Sequence, residues 1–248
     1  MDYRIKPVGD SALTIIFGNS IDPGISRTVR IAREYLTSKK IDGVSEYVQT
    51  YASLMVHYSP SVVGFGELAS RIITELSGLE VGSDSDVKRI IEIPVCYGGE
   101  FGPDMPTVCE HTGLSEEEVV KRHSAPDYLI YMLGFMPGFV YLGGMDLSIS
   151  TPRLKAPRER LEKGSVGIAA NQTGMYPLVS PGGWQIIGRT PVELYDQDRE
   201  KPILYEAGEY IRFIPISEQE FSKIREQVED RTYEYKWIVE EKKPWQCM

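Results

Sequence analysis

Two periods of apolar residues divide the chain. Residues 11–17 (SALTIIF) are branched and apolar, and Gly18-Asn19-Ser20 and Asp22-Pro23-Gly24 follow, so a strand is expected to lead into a capped helix. From Ile25 the positions Val29, Ala32 and Leu36 recur at intervals of four, three and four, the spacing of one buried helix face. That helix is expected to stop near Asp42-Gly43. Residues 44–58 have the content of two strands, and after Ser59-Pro60 the residues Phe65, Leu68, Ile72, Ile73 and Leu76 mark a second amphipathic helix. The order β, α, β, β, α predicts an open sheet with helices on one face.

The stretch Val81-Gly82-Ser83-Asp84-Ser85-Asp86 offers almost nothing that packs, which places a linker over residues 81–88 after a small α/β domain of residues 1–80. Residues 89–97 (RIIEIPVCY) form the next expected strand. Ser115-x-x-Glu118 is a capping-box pattern, and a helical pair is expected over residues 104–123. Beyond Tyr128 the texture changes. Residues 134–191 hold ten of the 23 glycines and six of the 16 prolines between short apolar runs, the grammar of a β-barrel or sandwich with functional loops. This second domain is set at residues 89–216, and residues 217–248 are set apart as a C-terminal tail with a helix over 217–228 and an edge strand over 233–239.

The 248 residues contain 27 Lys+Arg against 36 Asp+Glu, a formal charge of -9, which disfavours nucleic acid and anionic membranes as partners. No apolar run approaches the ~20 residues of a membrane span. The N-terminal residues lack the apolar stretch of a signal peptide, and three cysteines without a CxxC pair do not suit a secreted disulfide framework. A cytoplasmic location is expected.

Several patterns carry little chemistry. Gly64-x-Gly66-x-x-Ala69 mimics a dinucleotide fingerprint, but no βαβ unit surrounds it, and it reads as a helix entry. No GxxxxGK[ST] phosphate loop occurs. His57, His111 and His123 lack metal-ligand spacing, so no metal is predicted in this chain. His57 sits in an apolar strand and His111 at a helix end, both structural readings. His123 ends a helix just before the glycine-rich region and is a candidate for proton transfer.

The densest signal runs from Leu133 to Arg189. Phe135, Phe139 and Tyr141 alternate between glycines and a proline, so an extended segment would set them on one face. Arg153, Lys155, Arg158, Arg160 and Lys163 follow between two glycine-rich walls, where a guanidinium fork suits a carboxylate or phosphate. Gln172, Thr173, Tyr176, Ser180 and Trp184 lie on turns stiffened by glycine and proline, the means by which a largely apolar pocket orients a small polar ligand.

The blocks Leu133–Leu142, Thr151-Pro-Arg153, Ala156-Pro-Arg158, Gly164–Ile168, Gln172–Pro177 and Ser180–Trp184 to Gly188–Pro191 resemble the family of B-type 5-oxoprolinase subunits. This family is also called allophanate hydrolase subunit 1 and includes the sporulation kinase inhibitor KipI. The resemblance extends to Val8–Ala12 and the strand from Tyr51 to Tyr58, and covers roughly residues 3–216. It implies an α+β N-terminal domain followed by a cyclophilin-like β-barrel domain. It also implies a heteromeric, ATP-dependent 5-oxoprolinase that hydrolyses 5-oxo-L-proline to L-glutamate. Its other members would be a C-type subunit homologue (KipA-like) and an A-type subunit (LamB/YcsF-like). ATP belongs to the complex, with the binding subunit unassigned.

Within that family reading, His123 and Arg158 are the expected catalytic residues. Phe135, Phe139, Tyr141, Arg153, Gln172, Thr173, Tyr176, Ser180 and Trp184 are the expected substrate-binding ones. The alternative implied by KipI is a regulatory module that binds and inhibits a histidine kinase. On either reading, limited proteolysis should cut first between Val81 and Lys88 and leave two compact fragments, because this stretch has few apolar anchors. A first cut within residues 134–191 would count against that division.

Overall fold

The computed structural model describes residues 2–79 and 87–241, and the chain divides into two compact units, Met1–Asp86 and Val87–Met248. The linker residues 81–86 lie outside the described residues, while Val87 and Lys88 already belong to a strand.

The first unit runs β1 (Arg4–Val8), β2 (Ala12–Ile16), α1 (Pro23–Ser38), β3 (Val44–Gln49), β4 (Ser53–Tyr58) and α2 (Phe65–Ser77). Its strands form an antiparallel sheet in the order β1-β2-β4-β3. Alternate strand residues Leu13, Ile15, Leu54 and Val56 share one core with Val29, Leu36, Leu68, Ile72 and Leu76 of the helices, as the two periods require. Asp22 caps α1 by accepting from the Ile25 amide at 2.9 Å. The helix ends at Ser38, ahead of Asp42-Gly43, because Lys40 takes a left-handed backbone with φ 45°. Strand β1 departs from the expected order: Arg4, Lys6 and Pro7 hide it, and a largely exposed edge strand tolerates both the charges and the proline. Gly64 is the N-cap of α2, the helix entry anticipated for that glycine pair.

The second unit begins with β5 (Val87–Tyr97), α3 (Met105–Thr112), α4 (Glu116–Ser124), β6 (Asp127–Leu133) and β7 (Val140–Gly143). It continues with β8 (Arg158–Leu161), β9 (Ser165–Ala169), β10 (Gln172–Met175), β11 (Ser180–Gly182), β12 (Gln185–Arg189), β13 (Tyr210–Pro215), α5 (Glu218–Glu229) and β14 (Trp237–Glu241). The main sheet has the order β10-β9-β12-β5-β13-β6-β7, and β8 and β11 form a separate two-stranded ribbon. The two ends of the main sheet come together: the Val140 carbonyl on β7 lies 3.0 Å from where a Cβ would stand on Gly174 of β10. The result is the nearly closed barrel expected for this half, filled by Ile91, Ile93, Val95, Ile130, Val166, Ile168, Ile187 and Phe213.

Strand β5 is paired along both edges. Residues Ile90–Val95 run parallel to β13, while β14 and β12 divide the opposite edge between residues 87–91 and 96–97. Asp127, at the start of β6, joins this frame by accepting from Arg212 Nε at 2.6 Å and Nη2 at 2.9 Å, and from Lys88. Burial alone would raise its pKa, but these two cations hold it below the usual value. The segment set apart as a tail is part of the unit, since β14 pairs with β5 and α5 starts on a full capping box between Ser217 and Glu220. The strand begins at Trp237, later than expected.

Gly102, on the turn from β5 to α3, has no room for a side chain: a Cβ there would meet the Ile187 carbonyl oxygen at 2.1 Å. Gly102→Ala should therefore lower the unfolding free energy in urea by about 1–3 kcal/mol, since the obstacle is backbone and cannot rotate away.

Candidate functional site

The loops of the barrel gather most of the expected aromatic residues around Phe139. Its ring centre lies 5.4 Å from Phe135, 5.3 Å from Tyr141, 5.4 Å from Tyr176 and 5.6 Å from Trp184, all in steeply tilted or edge-on contacts. Phe139, Tyr176 and Trp184 are buried and Tyr141 is half-buried. Phe135 is 66% exposed. It reaches the cluster through a turn, not an extended face, with φ 69° at Phe135 and 81° at Gly138. The turn is pinned where the Tyr205 hydroxyl donates to the Gly138 carbonyl at 2.8 Å. A left-handed phenylalanine costs on the order of 1–3 kcal/mol, a strain tolerated where the surroundings fix it.

Arg153 lies over the Trp184 ring, its guanidinium carbon 5.8 Å from the ring centre. Burial pushes the Tyr176 hydroxyl up to about 12, with Arg153 pulling the other way, so at neutral pH this phenol keeps its proton. The cluster is thus a rigid aromatic wall with one cation on its rim.

Arg158 starts β8, and its Nη2 donates to Oδ1 of Asp104. Asp104 stands at the N-cap position of α3, followed by Met105 and Pro106. Its carboxylate makes no cap bond. Instead Oδ2 accepts from the Ile186 amide of β12 at 2.6 Å, so the pair ties the α3 start, β8 and β12 together. The Asp104 side chain is 7% exposed and that of Arg158 33%. Asp104 is a residue that sequence reasoning misses, because its partners are 54 and 82 positions away.

His123 sits differently from its expected role. It is fully buried at the end of α4, its ring stacked 4.7 Å from Phe213. Nδ1 lies 2.8 Å from the Tyr97 hydroxyl, and Nε2 lies 2.8 Å from Thr173 Oγ1. Thr173 spends its one hydroxyl proton on the Gly167 carbonyl at 3.0 Å, so it must accept from Nε2–H, which leaves Nδ1 to accept from Tyr97. The imidazole is neutral and both nitrogens are engaged. Burial depresses its pKa to about 3. In this geometry the ring is a strut between β5, β10 and β13, with Thr173 as its hydrogen-bond partner.

Gln172 lies half-buried at the start of β10, and Ser180 lies half-buried at the start of β11, across from the Arg158 strand. Among the described residues no group of three or more His, Cys, Asp or Glu side chains is arranged to hold a metal ion. No described helix is long and apolar enough to cross a membrane. An open cleft of about 420 Å³, lined by Tyr3, Arg4, Phe17 and Asn19 among others, lies in the first unit and contains none of the expected residues. The aromatic wall and the cation on its rim remain the better candidate, because they bring polar and apolar groups to one place.

A family model described as carboxyltransferase domain, subdomain C and D, matches residues 3–205. The chain belongs to that class of protein. Along the chain, 235 residues are 40% identical to the B-type subunit of 5-oxoprolinase from Bacillus subtilis (strain 168), covering 91% of this chain and 98% of that protein. The chain belongs to the family of B-type 5-oxoprolinase subunits. The solved structure of TTHA0988 is 34% identical with a TM-score of 0.74 over 83% of this chain, and the chain spans 40% of its length. The urea carboxylase of Kluyveromyces lactis shares the fold at a TM-score of 0.77 and 17% identity, over 96% of this chain and 24% of that one.

The buried imidazole makes stability depend on pH. Its folded pKa lies below the unfolded value near 6.5, so the unfolded chain binds the extra proton; the stabilisation is full above pH 6.5 and is lost as pH falls toward 3. Each pH unit in that window removes roughly 1.4 kcal/mol. Urea unfolding at pH 6.5, 5.5 and 4.5 should show a steeper loss for the natural chain than for His123→Gln, and equal slopes would contradict the neutral buried ring.

Proposed function

We propose that this chain is the B-type subunit of an ATP-dependent 5-oxoprolinase. Together with a LamB/YcsF-like and a KipA-like partner it opens the lactam of 5-oxo-L-proline to L-glutamate. The observation that carries the reading is the likeness, over nearly the full length of both chains, to the Bacillus subtilis protein. The family match and the cation-rimmed aromatic wall support it.

A lactam is a resonance-stabilised amide. Water must add to its carbonyl carbon, the oxygen carries the developing negative charge, and the C–N bond breaks as nitrogen takes a proton. In this reading Phe135, Phe139, Tyr141, Tyr176 and Trp184 receive the ring, and Arg153 and Arg158 hold the carboxylate or a phosphoryl group. ATP would supply activation of the carbonyl oxygen in the complex. The sequence has no GxxxxGK[ST] phosphate loop. His123 contributes by holding β10 in place, and the proton-transfer group is left to the assembled complex.

Purified alone, the chain should show no 5-oxoproline-dependent ATP hydrolysis and should gain it when mixed with its LamB/YcsF-like and KipA-like partners. Arg158→Ala should cut kcat/KM for 5-oxo-L-proline roughly tenfold or more in that mixture, the scale of a charge-assisted bond of about 1.5–3 kcal/mol, and Arg158→Lys should restore only part. Turnover by the chain alone sinks the reading of one member among several, and unchanged kinetics in both variants make the cationic loop mere solvated surface.

A further inference from the structure

The ribbon of β8 and β11 carries two polar groups that its own fold leaves unsatisfied. Arg158 Nη1 and Ser180 Oγ are both buried without a hydrogen-bond partner. A buried polar group without a partner is destabilising, so two of them on one short ribbon call for an acceptor that the chain does not supply.

Their placement follows from the strand register. Gly182 pairs with Arg158 and Ser180 pairs with Leu161, with a bulge between the two pairs. Ser180 and Gly182 are two apart on β11 and share a face, and the extra residue on β8 brings Arg158 and Leu161 to that same face. Gly182 stands opposite Arg158 and two residues from Ser180. A Cβ there would fall 2.6 Å from the Tyr176 hydroxyl and 2.5 Å from Leu161 Cδ1, so only glycine lets the ribbon approach Tyr176 this closely. Arg158 and Ser180 thus share one face of the ribbon, and the Tyr176 hydroxyl, which also bonds the Trp184 backbone, lies against that face at Gly182.

We propose that this face is an anion seat for a carboxylate or phosphoryl oxygen, and that Asp104 is its positioning residue. The proposal rests on the reading of this site as substrate-binding and adds Asp104 and Gly182 to it. Asp104 takes Nη2 of Arg158 on one oxygen and the Ile186 amide on the other, so a long side chain that is one-third exposed is fixed to the barrel frame. Only Nη2 is consumed, Nη1 has no partner within the chain, and the rotamer freedom that Arg158 would otherwise lose on binding is already lost.

The test is calorimetric titration of the full chain with 5-oxo-L-proline, with pyrrolidin-2-one (the same lactam without the carboxylate) and with inorganic phosphate. The natural chain should bind 5-oxo-L-proline at least tenfold more tightly than pyrrolidin-2-one. Asp104→Asn should lose about tenfold for the acid and leave pyrrolidin-2-one unchanged, whereas simple loosening of the fold would weaken both. Ser180→Ala, which leaves the Asp104 bonds intact, should show the same selectivity and stands in if Asp104→Asn does not fold. Equal loss for both ligands, or no loss for either, overturns the positioning role. If Arg158→Ala leaves acid binding intact, the substrate-site reading falls with it. Binding of phosphate alone, weakened by Asp104→Asn, supports the seat while rejecting the substrate carboxylate as its occupant, and no response to any of the three ligands overturns the seat.

Discussion

The hydrogen-bond ladder along β5 is the constraint on which the barrel depends. One strand of eleven residues pairs with β13 along residues 90–95 on one edge and with β14 and β12 along residues 87–91 and 96–97 on the other, so little of it is left as an open edge. Being enclosed, it reads as a nearly continuous apolar run from Ile90 to Cys96, and Glu92 and Pro94 are the departures from that run. Its C-terminal end turns through Gly98 and Gly102 into α3, where the Gly98 amide donates to Ile187 and the Asp104 amide to Ile186. The helical pair is therefore held to the barrel by backbone bonds before any side chain is considered.

Two buried polar groups complete that attachment, and they do so by opposite electrostatic means. His123 is buried uncharged, which requires donors and acceptors matched to a single tautomer and yields a strut without net charge. Asp104 is buried beside a cation and a backbone amide, which satisfies both of its oxygens. Both ties reach α3 or α4 from strands distant in sequence, and both leave the glycine-rich loops between them free to serve the site. Rigidity of the wall around Phe139 follows, since its rings pack on one another and the turn before it is anchored by Tyr205.

Much of this is legible in the sequence, for reasons that can be named residue by residue. Val29, Ala32 and Leu36 mark α1 by their spacing, Ser115 marks the start of α4, and the glycine and proline content of residues 134–191 marks a barrel with built loops. Strand β1 is illegible because an edge strand needs no apolar face, and β14 starts later than its composition suggests because Tyr233 and Tyr235 are strand-like but precede the paired residues. The aromatic residues do group, but Phe135 joins Phe139 through a turn with a left-handed backbone, which simple alternation does not foresee. The burial of His123 is not legible, because a position beside a glycine-rich loop in sequence says nothing about which way an imidazole points.

Asp104 shows where local reading ends. An aspartate before Met105-Pro106 has a sufficient local explanation as a helix cap, and nothing nearby in the chain argues otherwise. Its real partners are set by the barrel's closure, which brings β8 and β12 to the α3 start. A carboxylate that forgoes the cap bond gives up about 1 kcal/mol of local stabilisation. It takes in exchange a charge-assisted bond to a guanidinium and an amide bond to a core strand, which together are worth more. The helix start still has Pro106, whose missing amide removes one of the unsatisfied donors that a cap would serve. The substitution of one role for another is therefore energetically permitted by the residue two positions on, and it is this permission that lets a fold-forming aspartate also fix the direction of Arg158.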